Sequence, residues 1–214
     1  IPRDSTNIIV QNLTLTTPES DDGLTILGKN VWVDHCTLVD CADGMVDITK
    51  GADYVTVSWC KFNYTYNSGH NFCNLIGDSD GDVGEFRVTF HHNWWSTGCI
   101  ERMPSVRFGY VHVFNNYYSC TGNNYCVRSR LDSEVIVENN YVENVQNPIE
   151  IYITGGTMGK VRASGNNYVN ITNVSTADRI IPAGNDSIAN PPYAYTLDAA
   201  TSVKASVMAG AGAH

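Results

Sequence analysis

Val88-Thr89-Phe90-His91-His92-Asn93-Trp94-Trp95, Val111-His112-Val113-Phe114-Asn115-Asn116-Tyr117-Tyr118 and Val135-Ile136-Val137-Glu138-Asn139-Asn140-Tyr141-Val142 are copies of one phrase. An alternating apolar run meets a polar spacer ending in Asn, and an aromatic or aliphatic pair follows. Further copies carry Asn or Cys at the same place: Ile8 to Leu13, Val31 to Leu38, Val55 to Phe62 and Val161 to Val169. Aligned on Asn12, Cys36, Cys60, Asn93, Asn116, Asn140 and Asn167, the steps are 24, 24, 33, 23, 24 and 27 residues. Self-similarity at such a period sets the architecture before any local feature does.

The alternation and the β-branched residues make each copy a strand. The expected fold is all-β, a right-handed parallel β-helix of about seven coils. Each coil pairs with the next about 4.8 Å away, and stacking buries the apolar side that one coil leaves open. Asn93, Asn116, Asn140 and Asn167 are expected to form an amide ladder inside the stack. The aromatic residues that follow are expected to stack likewise. The chain reads as one domain, with coils over 1–180. Residues 181–214 read as an irregular segment with a short helix packed on the stack. The first coil begins with nothing to cover it, so N-terminal coils and a cap are expected outside residues 1–214.

Composition narrows the function. A net charge of −9 over 214 residues argues against a nucleic-acid partner. No 18-residue apolar span is present, so no membrane helix is expected. Seven cysteines without a CxxC pair make a zinc ribbon a poor fit and suit a secreted protein with disulfides. Cys36 over Cys60, Cys36 with Cys41, and Cys120 with Cys126 are the pairings to weigh. His91 and His92 are neighbours on a strand and point to opposite faces, which favours structural roles. The run Asp78-Ser79-Asp80-Gly81-Asp82 lacks EF-hand spacing and reads as a solvated turn.

Counting from the ladder position, Asp22, Asp43 and Asp47 fall at similar phase on two adjacent coils. Arg102, Arg107 and Arg128 follow at that phase further on. Three carboxylates without thiol or imidazole suit a hard cation such as Ca²⁺; the alternative is ordinary exposed turn aspartates. The arginines are a local exception to an acidic chain.

Taken together, Val31-Trp32-Val33-Asp34-His35-Cys36, Asp43-Gly44-Met45-Val46-Asp47, Leu75-Ile76-Gly77, Arg102-Met103-Pro104-Ser105-Val106-Arg107 and Val111 to Tyr118 resemble pectate lyases of polysaccharide lyase family 1. The resemblance implies a secreted monomer that cleaves polygalacturonate by calcium-assisted β-elimination. It also implies about a hundred residues ahead of Ile1. Carried across position by position, it makes Asp22, Asp43 and Asp47 the calcium ligands and Arg102 the catalytic base. Arg107 and Arg128 become uronate-binding or transition-state residues, and Phe72 takes a substrate-binding position. Ordinary arginine is protonated up to about pH 12.5, so such a base implies an alkaline rate optimum. Two departures stand out. The family's substrate-binding lysine falls at Phe72, where His70 or Lys61 could compensate, and a further acidic calcium position falls at Ser20. The rival readings are a calcium-independent pectin lyase acting on methyl-esterified pectin, a polygalacturonase working through paired carboxylates and water, and a non-catalytic acidic-polysaccharide-binding β-helix.

Overall fold

The computed structural model describes residues 1–17, 19–153, 155–174, 179–180 and 186–214. Three sheets run the length of a stack. The first contains Thr6–Gln11, Lys29–Asp34, Asp53–Ser58, Arg87–His91, Tyr110–Phe114, Glu134–Glu138 and Lys160–Ser164, each parallel to the next. The second, also parallel, contains Thr14–Leu15, Thr37–Val39, Lys61–Asn63, Trp94–Trp95, Tyr117–Tyr118, Tyr141–Glu143 and Asn167–Val169. The third contains Leu24–Ile26, Val46–Ile48, Asn74–Ile76, Ser105–Arg107, Val127–Arg130 and Ile149–Ile151 in parallel. Arg179–Ile180 closes that sheet antiparallel to Ile149–Ile151. Seven coils of a parallel β-helix result, as the repeat predicts.

Alternation decides which side chains enter the stack. Val33, Val57, Phe90, Val113 and Val137 form one continuous inward row, from fully buried to 3 % exposed. Phe62, Trp95 and Tyr118 stack ring on ring inside the core, with centroids 5.3 and 4.7 Å apart. The other member of each aromatic pair faces out. Trp94 stacks on Tyr117, which meets Tyr141 edge to face, and the helix Ala200–Gly210 covers this row through Val203 and Val207. The i, i+4 spacing of these valines and the alanine-rich remainder account for that helix.

The ladder is present, with its register corrected at both ends. Asn93 Nδ2 donates to Asn116 Oδ1 at 3.0 Å, Asn116 Nδ2 to Asn140 Oδ1 at 3.0 Å, and Asn140 Nδ2 to Asn166 Oδ1 at 2.9 Å. The last rung is therefore Asn166 and not Asn167. Glu138 pairs with Ser164 and Tyr141 with Asn167, which puts Asn166 beside Asn140. On the first coil Gln11 pairs with Asp34, so Leu13 and not Asn12 lies under Cys36. Asn12 belongs to the row before the ladder. There Asn12, His35, Trp59, His92, Asn115, Asn139 and Gly165 all take positive φ, from 47° to 67°. This left-handed row makes the corner between the first and second sheets. At Gly165 an added Cβ would lie 2.0 Å from Asn139 Oδ1, so a larger residue there would displace the Asn139 side chain.

The cysteines differ from the expected disulfides. All seven are buried free thiols. Cys36 and Cys60 do lie one over the other, and each thiol has two carbonyls in reach: Cys60 Sγ lies 3.2 Å from Ser58 O and 3.8 Å from Val33 O of the preceding coil, and Cys36 Sγ lies 3.4 Å from Asp34 O and 3.6 Å from Val10 O of the preceding coil. The Val33 and Val10 carbonyls belong to the row that Asn93, Asn116 and Asn140 bond through Val57, Phe90 and Val113. The thiols occupy the ladder position and share its carbonyl row with weaker, divided contacts.

The C-terminal segment runs back along the corner. Asp198 accepts from His92 at 3.1 Å, and its backbone bonds Asn115 and Asn139. Beyond the helix, Gly212 N–H donates to Trp59 O at 2.8 Å and Ala213 N–H to Thr37 Oγ1 at 3.0 Å. Residues 181–185 of the expected loop lie outside the described residues.

Asn116 is wholly buried and serves both neighbouring coils. Asn116→Ala strands donors and acceptors on both sides and is expected to cost about 3–5 kcal/mol in a denaturant titration. Cys36→Ala, which removes one weak bond and little volume, is expected to cost no more than about 1–2 kcal/mol. Fully denatured, unreduced protein is expected to show seven reactive thiols; five would establish a disulfide.

Candidate active site

The outward face of the third sheet carries the residues of interest. Its pairing aligns Thr25, Asp47, Leu75, Ser105, Arg128 and Glu150 in one row. Arg107 and Arg130 pair in a row two residues further on. Asp47 and Arg128 thus lie three strands apart, about 14 Å. Asp22, Asp43, Phe72 and Arg102 sit in the turns that lead into this sheet. Their phases differ because the turns differ in length, so counting along the chain aligns them only roughly.

Two of the three expected carboxylates converge. A Cβ added at Gly44 would lie 2.8 Å from both Asp22 Oδ1 and Asp47 Oδ1. The absent side chain leaves the space into which both oxygens point. Both oxygens are buried and lack a hydrogen-bond partner. Asp22 Oδ2 is engaged, accepting from Thr25 Oγ1 at 2.9 Å. Burial, with Asp22 adding repulsion, pushes the Asp47 carboxyl up to about 7. Burial also raises Asp22, and Asp43 adds to the rise. Buried, mutually repelling carboxylate oxygens without donors fit a hard divalent cation. Asp43 stands apart. Its side chain is 62 % exposed and lies 3.1 Å from His70 Nε2. Among the described residues, no three acidic, thiol or imidazole groups surround one point.

Each arginine has its own setting. Arg102 has φ 61°. Phe72 pairs with Glu101 while Leu75 pairs with Ser105, three steps against four; Asn74 N–H still donates to Arg102 O at 2.6 Å, so the extra residue makes a β-bulge directly after Arg102. Its guanidinium lies over the Phe72 ring, 4.5 Å from the centroid. The ion pair with Glu101 that would make Arg102 merely structural is not formed; Glu101 accepts from Asn124 Nδ2 at 2.7 Å. Arg107 donates to Asp80 at 3.1 Å and to Gly77 O at 2.9 Å. Arg128 is paired with buried Glu150 and lies between the rings of Tyr125 and Tyr152, at 3.6 and 4.7 Å. Its plane is fixed and its charge partly offset.

Other residues come into focus only in three dimensions. Arg130 stands beside Arg107 and over Tyr152 at 5.1 Å. Burial lowers its pKa, with Arg107 adding to the effect. The pattern Arg128-Ser129-Arg130 is the signal for it, since alternate residues share a face. Asp80, from the turn read as solvated, holds Arg107. The rest of that turn is structural, with Asp82 accepting from the backbone of Lys50 and Asp78. Lys61 lies on the second sheet over Trp94 and does not reach Phe72. His70 does, with ring centroids 4.0 Å apart.

Asp47→Asn tests the repulsion. The folded pKa of Asp47 is raised from 3.8 to about 7. Its contribution to stability is therefore complete below pH 3.8 and lost as pH rises through about 7. Half-buried His91 and buried His112, lowered to about 4, lose stability as pH falls toward 4 in both proteins. The difference between variant and wild type isolates Asp47. In EDTA, Asp47→Asn is expected to raise the melting temperature by roughly 5 °C at pH 8.5 and by little at pH 4.

Comparison with known proteins gives the family. The sequence model of the pectate lyase family matches residues 1–214. A pectate trisaccharide-lyase of Bacillus licheniformis is 34% identical over 217 residues, covering 96% of this chain and 60% of its own. Pectate lyase A of Aspergillus niger is 32% identical, covering 98% of this chain and 63% of its own. The chain thus spans about 60% of the length of these relatives. Among solved structures, a pectate lyase from Bacillus sp. N165 in complex with trigalacturonate superposes with a TM-score of 0.78 at 29% identity, covering 97% of this chain and 68% of that one. Pectate lyase II of Xanthomonas campestris gives 0.79 at 28% identity, covering 97% and 70%. With its repeat, its coil register and a match along its whole length, this chain belongs to the pectate lyase family.

Proposed function

We propose that the chain is a calcium-dependent pectate lyase, secreted and monomeric, that cleaves de-esterified polygalacturonate by β-elimination. The observation that carries this reading is the pair of donorless oxygens on Asp22 and Asp47, set near an arginine that leaves them unpaired. Asp22 and Asp47 would hold Ca²⁺, with Asp43 as a third ligand once turned from His70. Bound there, Ca²⁺ would draw charge from a uronate carboxylate and acidify the adjacent C5–H.

The chain's own residues then have distinct tasks. Arg102 accepts the C5 proton. The C5–H electrons form the C4–C5 double bond, and the C4 glycosidic oxygen departs with its bonding pair. Arg107 and Arg128 receive uronate carboxylates through donors left open by Asp80 and Glu150, and the guanidinium plane suits two-point contact. Arg130 adds positive charge beside Arg107. Phe72 stands where a cation would otherwise contact substrate.

The repelling Asp22–Asp47 pair disfavours a calcium-independent pectin lyase, for which buried anions carry a cost without a use. A hydrolase would need two carboxylates flanking a water path, whereas these two face one point. A module that only binds polysaccharide has no need of an arginine aimed from a bulge.

Incubation with polygalacturonate is expected to raise the ultraviolet absorbance of unsaturated uronide in calcium and not in EDTA. The rate is expected to increase toward alkaline pH. Arg102→Ala is expected to reduce the rate roughly 10²–10⁴-fold. New reducing ends without absorbance would make the protein a hydrolase.

A further inference from the structure

We infer that Phe72 is a positioning residue whose ring keeps the Arg102 guanidinium off the Asp22–Asp47 pair, leaving that pair to a divalent cation. The inference rests on the calcium reading of the same site and assigns the ring a task there. Val46 pairs with Asn74, which sets Phe72 beside Gly44, the seat of the two converging oxygens. On its other side Phe72 pairs with Glu101, next to Arg102 at the edge of the bulge. The ring therefore occupies the coil between the carboxylates and the arginine.

An arginine near two donorless carboxylate oxygens ordinarily forms a bidentate ion pair. Here the Coulomb field of Arg102 reaches both Asp22 and Asp47. Yet both Oδ1 atoms remain without a donor, and the guanidinium lies over the ring of Phe72. A cation over an aromatic face is attracted by the ring quadrupole, so the ring offers Arg102 a resting place that an aliphatic side chain lacks. The ring is itself held, packed against His70, which lies 3.1 Å from Asp43. Without it, Arg102 would be free to fold onto the carboxylates and compete with the ion. One displacement would then block the metal seat and remove the base.

The test is calcium titration calorimetry without substrate, with turnover measured in parallel, on wild type, Phe72→Leu, Phe72→Tyr and Phe72→Leu/Arg102→Ala. Phe72→Leu is expected to weaken calcium binding about tenfold or more. Phe72→Tyr should retain wild-type affinity. The double variant should regain it, because the competing cation is gone. In turnover, Phe72→Leu is expected to lower kcat at limiting calcium and to recover toward wild type as calcium saturates, while KM for polygalacturonate stays within about twofold. Unchanged calcium affinity in Phe72→Leu would overturn the inference. So would a loss that persists in the double variant, which would make Phe72 a packing residue. A change in KM alone would make it a substrate contact and overturn the inference as well. The predicted calcium pattern in a protein without eliminase activity would support the inference and defeat the lyase reading.

Discussion

Coil-to-coil register is the constraint on which everything else depends. The buried amides of Asn93, Asn116 and Asn140 each bond the next coil and the carbonyl row of the previous one, and half-buried Asn166 ends the ladder by donating to Val137 O. A slip of one residue would leave these groups unpaired in an apolar interior, where each unmet bond costs about 1–3 kcal/mol. It would also reverse every side chain in the sheets. The ladder holds this register over the coils from Asn93 onward, and strand pairing carries it to the earlier ones, so that Asp47 and Arg128 share one outward row and Arg107 meets Arg130. The site is fixed by hydrogen bonds on the far side of the core.

That rigidity permits a poor local arrangement of charge. Asp22 and Asp47 aim oxygens at one point with no donor between them. A flexible surface would relax such a pair into solvent. Here the glycine at position 44, the coil stacking and the bulge at Arg102 hold acid and base near one another without letting them neutralise. The basic side is arranged differently. Glu150 and Asp80 tie down Arg128 and Arg107, and Tyr125 and Tyr152 fix the plane of Arg128. The acidic side is left unsatisfied, while the basic side is oriented and partly satisfied.

The sequence made the solenoid legible because its period is strong and its strands alternate. It also brought Asp22, Asp43, Asp47, Arg102, Arg107 and Arg128 to one face. It misplaced Asn12 and Asn167 by one residue, since consecutive polar residues at the corner, Asn115-Asn116 and Asn139-Asn140, leave the phase ambiguous. Only the pairing separates the left-handed row from the ladder. The thiols were read as disulfides because spacing reports proximity and not bonding. That Cys36 and Cys60 sit at the ladder position as free thiols requires knowing which carbonyls they meet. Asp80, Glu150, Tyr125 and Tyr152 were hidden for a similar reason, as partners of the arginines contributed by other coils and turns. Asp43 turned toward His70 belongs to the same class, a side-chain orientation that coil phase does not encode.

The most direct measurement is a diffraction structure grown with calcium and an oligogalacturonate. The account predicts a cation bonded at about 2.3–2.6 Å to Oδ1 of both Asp22 and Asp47, with Asp43 drawn from His70 and Arg102 still over Phe72. A saturating calcium structure with the Asp22–Asp47 seat empty, or with Arg102 paired to those carboxylates, would contradict it.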